Sequence, residues 1–399
     1  MNKILSSALG SLAVLLLVVA ATAIDARAQC LLAQPSDQQV ASANSPAANA
    51  KVTAVSPAMQ GVLNALANLP EADTLVYVNP PRIFNEVIPR LMPPNEVEKM
   101  RQGFEEVKKQ AGVDPSKLDY VVFAIRFQKP TADLNFQPPE FMVVSSGDFS
   151  AESLIELARI ATKGKLRDEK YGDKTLSLIT IDPVAKETEK YPILKSFAEL
   201  GVVALDGNTL ATGSPAYLRA AIDAAGGKER INTQVLNSLV RDPNAIFSVA
   251  GRPFNSFAKS FGMLGTEANA RAPRCDWAMG DFYAALTMDQ TNFMIRGVSN
   301  ADNPDTAQIL ANLYTMLLRY ATNEIKDASA QSLLKGLAIT AEGDEVLLRA
   351  DVPQQMVIDM IKQQMRPKMT DAKITAPPDE KPVVKKKRRS TRRRHTKPS

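Results

Sequence analysis

Histidine is almost missing from this chain: His395 is the only one in 399 residues, and it stands within a basic run at the C-terminus. A Ser-His-Asp triad or a histidine-ligated metal would have to use that one side chain, so such chemistry is excluded from the body of the protein. Cysteine is nearly as scarce. Cys30 and Cys275 allow one disulfide at most, and their lack of paired spacing excludes zinc-ribbon and iron–sulfur ligation. Because they lie so far apart, with Cys30 in a polar leader, two free thiols are the expected state. No Gly-x-Ser-x-Gly is present. The segment AAGGKER (224–230) ends like a phosphate-binding loop, but Glu229 follows Lys228 where Ser or Thr is needed, and no upstream glycine completes it. Gly226 and Gly227 suit a helix C-cap instead. No cofactor and no metal are expected, and no residue qualifies as catalytic.

Acidic residues are lacking from the basic C-terminus. Residues 381–399 contain ten Lys/Arg and no Asp/Glu: Lys381, Lys385, Lys386, Lys387, Arg388, Arg389, Arg392, Arg393, Arg394 and Lys397. Lys3 and Arg27 account for two more of the 48 bases, which leaves 36 against 42 acids in residues 29–380. The body is therefore mildly acidic, and the formal charge of +5 is a property of the tail. With 45% hydrophobic and 23% charged residues, the chain is composed like a globular protein with a core to bury.

The N-terminus begins Met1-Asn2-Lys3 and runs uncharged from Ile4 to Ile24. Its densest part is LAVLLLVVAATA (12–23), followed by DARAQC. A basic start, an apolar middle and small residues at Ala26 and Ala28 predict a secretory signal over residues 1–28, cut after Ala28, with Ala21-Thr22-Ala23 as a second candidate site. An uncleaved anchor is the alternative reading, since 21 uncharged residues can just span a bilayer. Lipid attachment at Cys30 fits less well, because Arg27-Ala28-Gln29 lacks the apolar and small pattern before it.

Residues 29–58 are small and polar, too poor in apolar area to offset their ordering entropy, and are expected to form a disordered linker. Residues 366–399, Pro-rich and then basic, are expected to behave likewise. Between them the pattern repeats. LANLPEADTLVYVNPPRIFNEV (66–87) aligns with LNSLVRDPNAIFSVAGRPFNSF (236–257). The strand pairs and helix of LDYVVFAIRF and FMVVSSGDFSAESLIELA align with those of residues 275–313. Segment 193–222 aligns with 333–361. The three matches keep the same order, which predicts a tandem duplication, repeat 1 at 59–229 and repeat 2 at 230–365. Strands arriving in pairs between helices predict an α+β fold with antiparallel sheet. Asp206-Gly207 and Glu342-Gly343 are expected hairpin turns. Ser214-Pro215 and Asn303-Pro304 are expected helix starts, the first carrying Leu218, Ala221 and Ile222 inward, the second Ile309, Leu310, Leu313, Leu317 and Tyr320.

Candidate site residues in the body are few. Arg82 and Arg252 occupy equivalent places after a strand in the two repeats and define a candidate anion site. Met316, Met360 and Met365 fall among aliphatic residues at helical spacing, as core or as an adaptable apolar groove. Trp277 is expected in the core. Glu105-Glu106 and Asp379-Glu380 read as solvated charge.

The order of LPEADTLVYVN, GVDPSKLDYVVFAI, GDFSAESLIELA and GVVALDGNTLATGSPAYLRAAI resembles that of uncharacterised secreted bacterial proteins with a duplicated α+β module, over about residues 60–365. That resemblance implies a non-enzymatic envelope protein and supplies no site residues. The tail lies outside it. Polybasic segments stay extended and bind polyanions. Across a membrane, the available polyanions are lipid head groups, lipopolysaccharide or wall polymers. Non-specific nucleic acid is a further partner, though the tail has no aromatic residue to stack on bases. The sequence thus predicts an exported, periplasmic or extracellular binding or structural protein held at an anionic envelope surface. Two alternatives stand beside it: an envelope enzyme with a site between the repeats, or, without export, a nucleic-acid binder acting through the tail.

Overall fold

The computed structural model describes residues 57–128, 139–181, 198–251, 281–325 and 328–365. The signal segment with Ala26 and Ala28, both cysteines, Arg252, Trp277 and the whole basic tail lie outside the described residues. Among the described residues no helix is long and apolar enough to cross a membrane.

Twelve strands form one antiparallel sheet: β1 (Thr74–Val78), β2 (Leu118–Arg126), β3 (Glu140–Gly147), β4 (Arg167–Tyr171), β5 (Lys174–Thr180), β6 (Glu199–Ala204), β7 (Thr209–Gly213), β8 (Phe247–Gly251), β9 (Phe282–Met288), β10 (Asn292–Asn300), β11 (Ala338–Glu342) and β12 (Glu345–Pro353). Their order across the sheet is β11-β12-β10-β9-β8-β1-β2-β3-β7-β6-β5-β4. The fold is thus mixed helix and strand on a single antiparallel sheet, as the paired strand pattern predicts. Strands on either side of residue 230 meet directly where β1 pairs with β8, from Thr74 opposite Gly251 to Val78 opposite Phe247.

Alternation along the strands divides the sheet into two faces. Leu75 and Tyr77 of β1 sit opposite Ala124 and Val122 of β2, which in turn meet Met142 and Val144 of β3, and all six are buried. Three helices cover this first face over the middle of the sheet: α1 (Pro57–Leu66), α6 (Pro215–Ala225) and α7 (Thr233–Leu239). Leu66, Tyr217, Leu218, Ala221 and Leu239 are fully buried there. Hydrophobic burial of about 25 cal/mol per Å2 makes this cluster the main driving force of the fold.

The second face is covered in sections. Helix α5 (Ala151–Ala161) lies on β6 and β7 through Ala151 and Ile155. The short helices α2 (Pro80–Arg82) and α3 (Ile88–Leu91), joined by a π-helical turn at Ile83–Val87, pack with α10 (Gln354–Met365) over Leu286, Phe293, Ile295 and Val352. Helix α4 (Pro94–Ala111) packs beside them, Phe104 edge-on to Phe84 with ring centroids 4.8 Å apart. Helix α8 (Pro304–Glu324) covers Val346 near the β11 edge, with α9 (Ala328–Lys335) against it.

The expected turns are present. Asp206 and Gly207 lie in the loop between β6 and β7, and Gly343 links β11 to β12 at φ 62°, a backbone region that glycine enters without steric penalty. Asn303 caps α8 by accepting from the Thr306 amide at 2.8 Å. Two local expectations are corrected. Ser214 precedes α6 but does not cap it with its side chain; its buried hydroxyl accepts from the Phe141 amide at 3.2 Å and ties the helix start to β3. On α8 the inward stripe is Ala307, Leu310, Ala311 and Tyr314, while Ile309 and Tyr320 are 54% and 61% exposed. Small residues at 307 and 311 let the backbone approach the sheet, rotating the larger side chains outward.

A candidate binding cleft on the open end of the sheet

Among the described residues, no helix of the first face reaches β10, β12 or β11. A cleft of about 540 Å3 lies there. Its floor is built from alternate residues of neighbouring strands: Tyr283 on β9, Arg296 and Val298 on β10, Leu347 and Arg349 on β12. The loop Arg241–Asn244, between α7 and β8, forms one rim, and Glu342 and Glu345 stand at the β11–β12 turn.

Register determines which of these meet. Val298 lies between Tyr283 and Leu347, giving an apolar strip across the floor. One row along, Arg296 stands directly opposite Arg349. Glu342 stands directly opposite Glu345 at the other end. Like charges opposed on adjacent strands destabilise a sheet, and this cleft has two such pairs.

Neighbouring charges relieve the repulsion only weakly. Arg296 donates to the Ala350 carbonyl at 3.0 Å and to Asp351 at 2.6 Å, but those two side chains are 40% and 58% exposed. Arg349 is 3.6 Å from Glu342, both more than half exposed. Exposed pairs of this kind contribute about 0–1 kcal/mol and exchange readily with other partners. Among the described residues Arg241 has no ion pair; its guanidinium sits 5.9 Å above the Tyr283 ring. Tyr283 is 7% exposed, and its hydroxyl lies against the Asp242 backbone without a hydrogen bond of standard geometry. Burial, with Asp242 nearby, pushes this phenol well above the usual tyrosine range, so it stays protonated and able to donate.

Arg82, picked out by its place after a strand, reaches this cleft from behind. Its guanidinium holds Glu86 through two bonds, 3.1 Å from Nε and 2.8 Å from Nη2, and also donates to the carbonyl of Asn244 on the rim. The bond from Arg82 keeps the Glu86 carboxyl below the usual carboxylate range. Arg82 thus braces the rim loop; whether Arg252 mirrors it lies outside the described residues. Met316 is exposed on α8 and Met360 half-buried on α10. Glu105 and Glu106 are exposed on α4, as solvated charges should be. Among the described residues no group of three or more His, Cys, Asp or Glu is placed to hold a metal ion.

Arg241, Tyr283, Arg296 and Arg349 were not singled out by the sequence reading. Their one sequence signal is an arginine inside each of two strongly apolar strands, in FMIRGV and VLLRAD.

No family model and no curated protein matches the chain. Solved structures of TP0453 are similar at low identity. Crystal form III is 10% identical, with a TM-score of 0.38, over 75% of this chain and 97% of that one. Crystal form I is 11% identical, with a TM-score of 0.36, over 78% and 98%.

Proposed function

We propose that this is an exported, non-enzymatic binding or structural protein of the cell envelope, whose polybasic tail holds a folded body at an anionic surface. The observation that carries the proposal is the charge asymmetry: ten bases and no acid in residues 381–399, beside a body in which acids exceed bases. Near an anionic membrane each basic residue contributes about 1 kcal/mol, a contribution that salt screens. Lipid head groups, lipopolysaccharide and wall polymers all present the anions required, and nucleic acid is the partner if the chain stays inside the cell.

The body is read as two copies of one α+β module. In support, strand order runs outward from the β1–β8 seam as β2-β3-β7-β6 on one side and β9-β10-β12-β11 on the other. Helix α5 follows β3 as α8 follows β10, both on the second face; α6 and α10 follow β7 and β12 but lie on opposite faces. Among the described strands, only β4 and β5 lack counterparts, as an insertion in the first copy would leave them. Leu75, Tyr77 and Ala250 are buried at the seam, in one apolar cluster with Leu66 of α1 and Leu239 of α7. A closed apolar seam supports a binding role over a catalytic site between the copies.

Fractionation of the native host tests the tether, comparing the full chain with a variant ending at Glu380, each washed at low and high salt. The expected result is full-length protein released from the envelope only by high salt, and truncated protein soluble throughout. Equal behaviour of the two chains would refute the tether, and retention of both in the cytoplasm would refute export.

A further inference from the structure

The open end of the sheet has a use that a tether does not require. Two arginines face each other on the cleft floor, and a third overhangs it. Arg296 and Arg349 both stand on strands paired on either side, so repulsion between them is a cost that the fold does not need. An oxyanion placed between them would convert that repulsion into charge-assisted hydrogen bonds, with Arg241 closing from the rim.

The rest of the cleft narrows the ligand. Glu342 and Glu345 at the far end accept hydrogen bonds and would repel a second negative charge; Asp242 on the rim is already turned to the Asn244 amide at 2.9 Å. Between the charged rows, Val298 and Leu347 give an apolar strip that fits the less polar face of a sugar ring. The ligand should therefore hold one oxyanion, several hydroxyl donors and a compact ring. A volume of about 540 Å3 is ample for it.

We propose that this cleft binds an acidic carbohydrate, a sugar carrying a single phosphate or carboxylate group. Arg296, Arg349 and Arg241 hold the oxyanion, and Glu342 with Glu345 accept from the sugar hydroxyls. The proposal rests on reading the body as a binding module, and adds the ligand class.

Isothermal titration of the full-length protein tests it, with glucose 6-phosphate, glucuronate, glucose and inorganic phosphate as probes. Because the tail is identical in every variant, differences between variants report on the cleft. The expected result is saturable binding of an acidic sugar, weakened about tenfold or more by Arg349→Gln and by Arg296→Gln, consistent with loss of one charged hydrogen bond. The two acidic sugars together show whether phosphate or carboxylate is preferred. Inorganic phosphate binding as tightly as glucose 6-phosphate would overturn the sugar assignment, and glucose binding as tightly would overturn the oxyanion. Variants that bind like wild type would move binding elsewhere, for example to the tail. Absence of any binding would also overturn the proposal while leaving the fractionation result untouched. Chemical conversion of a probe, followed by NMR, would instead overturn the non-enzymatic reading.

Discussion

Gly251 tests the seam at its tightest point. It pairs with Thr74 of β1 on one side and Phe282 of β9 on the other, at φ 145°, a backbone conformation that L side chains rarely adopt. A Cβ added there would lie 2.1 Å from the Asp73 carbonyl oxygen and 2.9 Å from the Thr74 Cα. Both of those atoms are backbone, and the Asp73 amide is itself fixed by a 2.9 Å bond to the Ile125 carbonyl. No side chain can move aside, so Gly251→Ala must either reshape the strand end or separate β8 from β1. Backbone strain of this kind costs about 1–3 kcal/mol, and overpacking a further 1–3 kcal/mol. The sum, about 4 kcal/mol, is a large part of the 5–15 kcal/mol typical of a folded domain. Urea unfolding monitored by circular dichroism measures it, with Gly207→Ala as control, because a Cβ at Gly207 meets nothing within 4 Å. If Gly251→Ala unfolds at the same urea concentration as Gly207→Ala, the close approach of β8 to β1 described here is wrong.

Four more expectations follow from the same structure. Leu218→Ala should lose about 3 kcal/mol in urea unfolding, since the side chain is fully buried under α6 and a cavity would remain. Glu140→Ala should cost about 3 kcal/mol by the same assay: the carboxylate is 7% exposed, accepts from Arg126 Nε at 2.9 Å, and its loss strands a guanidinium held 4.5 Å over the Tyr217 ring. Arg349→Gln should unfold within about 0.5 kcal/mol of wild type, relief of the repulsion from Arg296 offsetting the weak pair with Glu342; a loss above 2 kcal/mol would mark Arg349 as structural. Against pH, bonds from Ser177 to Asp168, Arg219 to Glu169 and Lys228 to Asp223 hold these carboxyls below their unfolded values, so their stabilisation is present above about pH 4 and declines as pH falls further. On the alkaline side burial raises Tyr77 and Tyr314 to about 12, so that contribution is complete below about pH 10 and lost as pH rises toward 12, which tyrosinate absorbance recorded alongside circular dichroism would register as ionisation coupled to unfolding.

Local features were legible because their signals are local. A glycine between alternating runs specifies the Gly343 turn, and Asn before Pro specifies the start of α8. Antiparallel pairing followed from strands that come two at a time. The β1–β8 pairing, by contrast, joins segments far apart in the chain, and no turn announces it. Strand β4, Arg-Asp-Glu-Lys-Tyr, escaped notice because every position is polar or half-buried; it lies at the sheet edge, where charge discourages pairing with another molecule. The α8 stripe was misplaced because Ile309 and Tyr320 sit at helical spacing with Leu310, while the surface that meets the sheet uses alanines at 307 and 311. Arg82 was found by its position, but its role as brace for the Asn244 loop depends on a tertiary contact that spacing cannot reveal.

The contrast between β4 and the cleft separates two uses of charge. At β4 the charges have nearby opposites: Asp168 is held by Arg159, Glu169 by Arg219, and Arg167 reaches Glu199. Protection of an open edge accounts for that arrangement, and nothing further is needed. On the cleft floor strand register sets like against like twice, Arg296 with Arg349 and Glu342 with Glu345, although Arg296 also reaches Asp351 and Arg349 lies 3.6 Å from Glu342. Edge protection cannot explain the arginines, because β10 and β12 are both paired on each side. A segregated field, basic at one end and acidic at the other across an apolar strip, has a physical rationale when something with the complementary pattern occupies it.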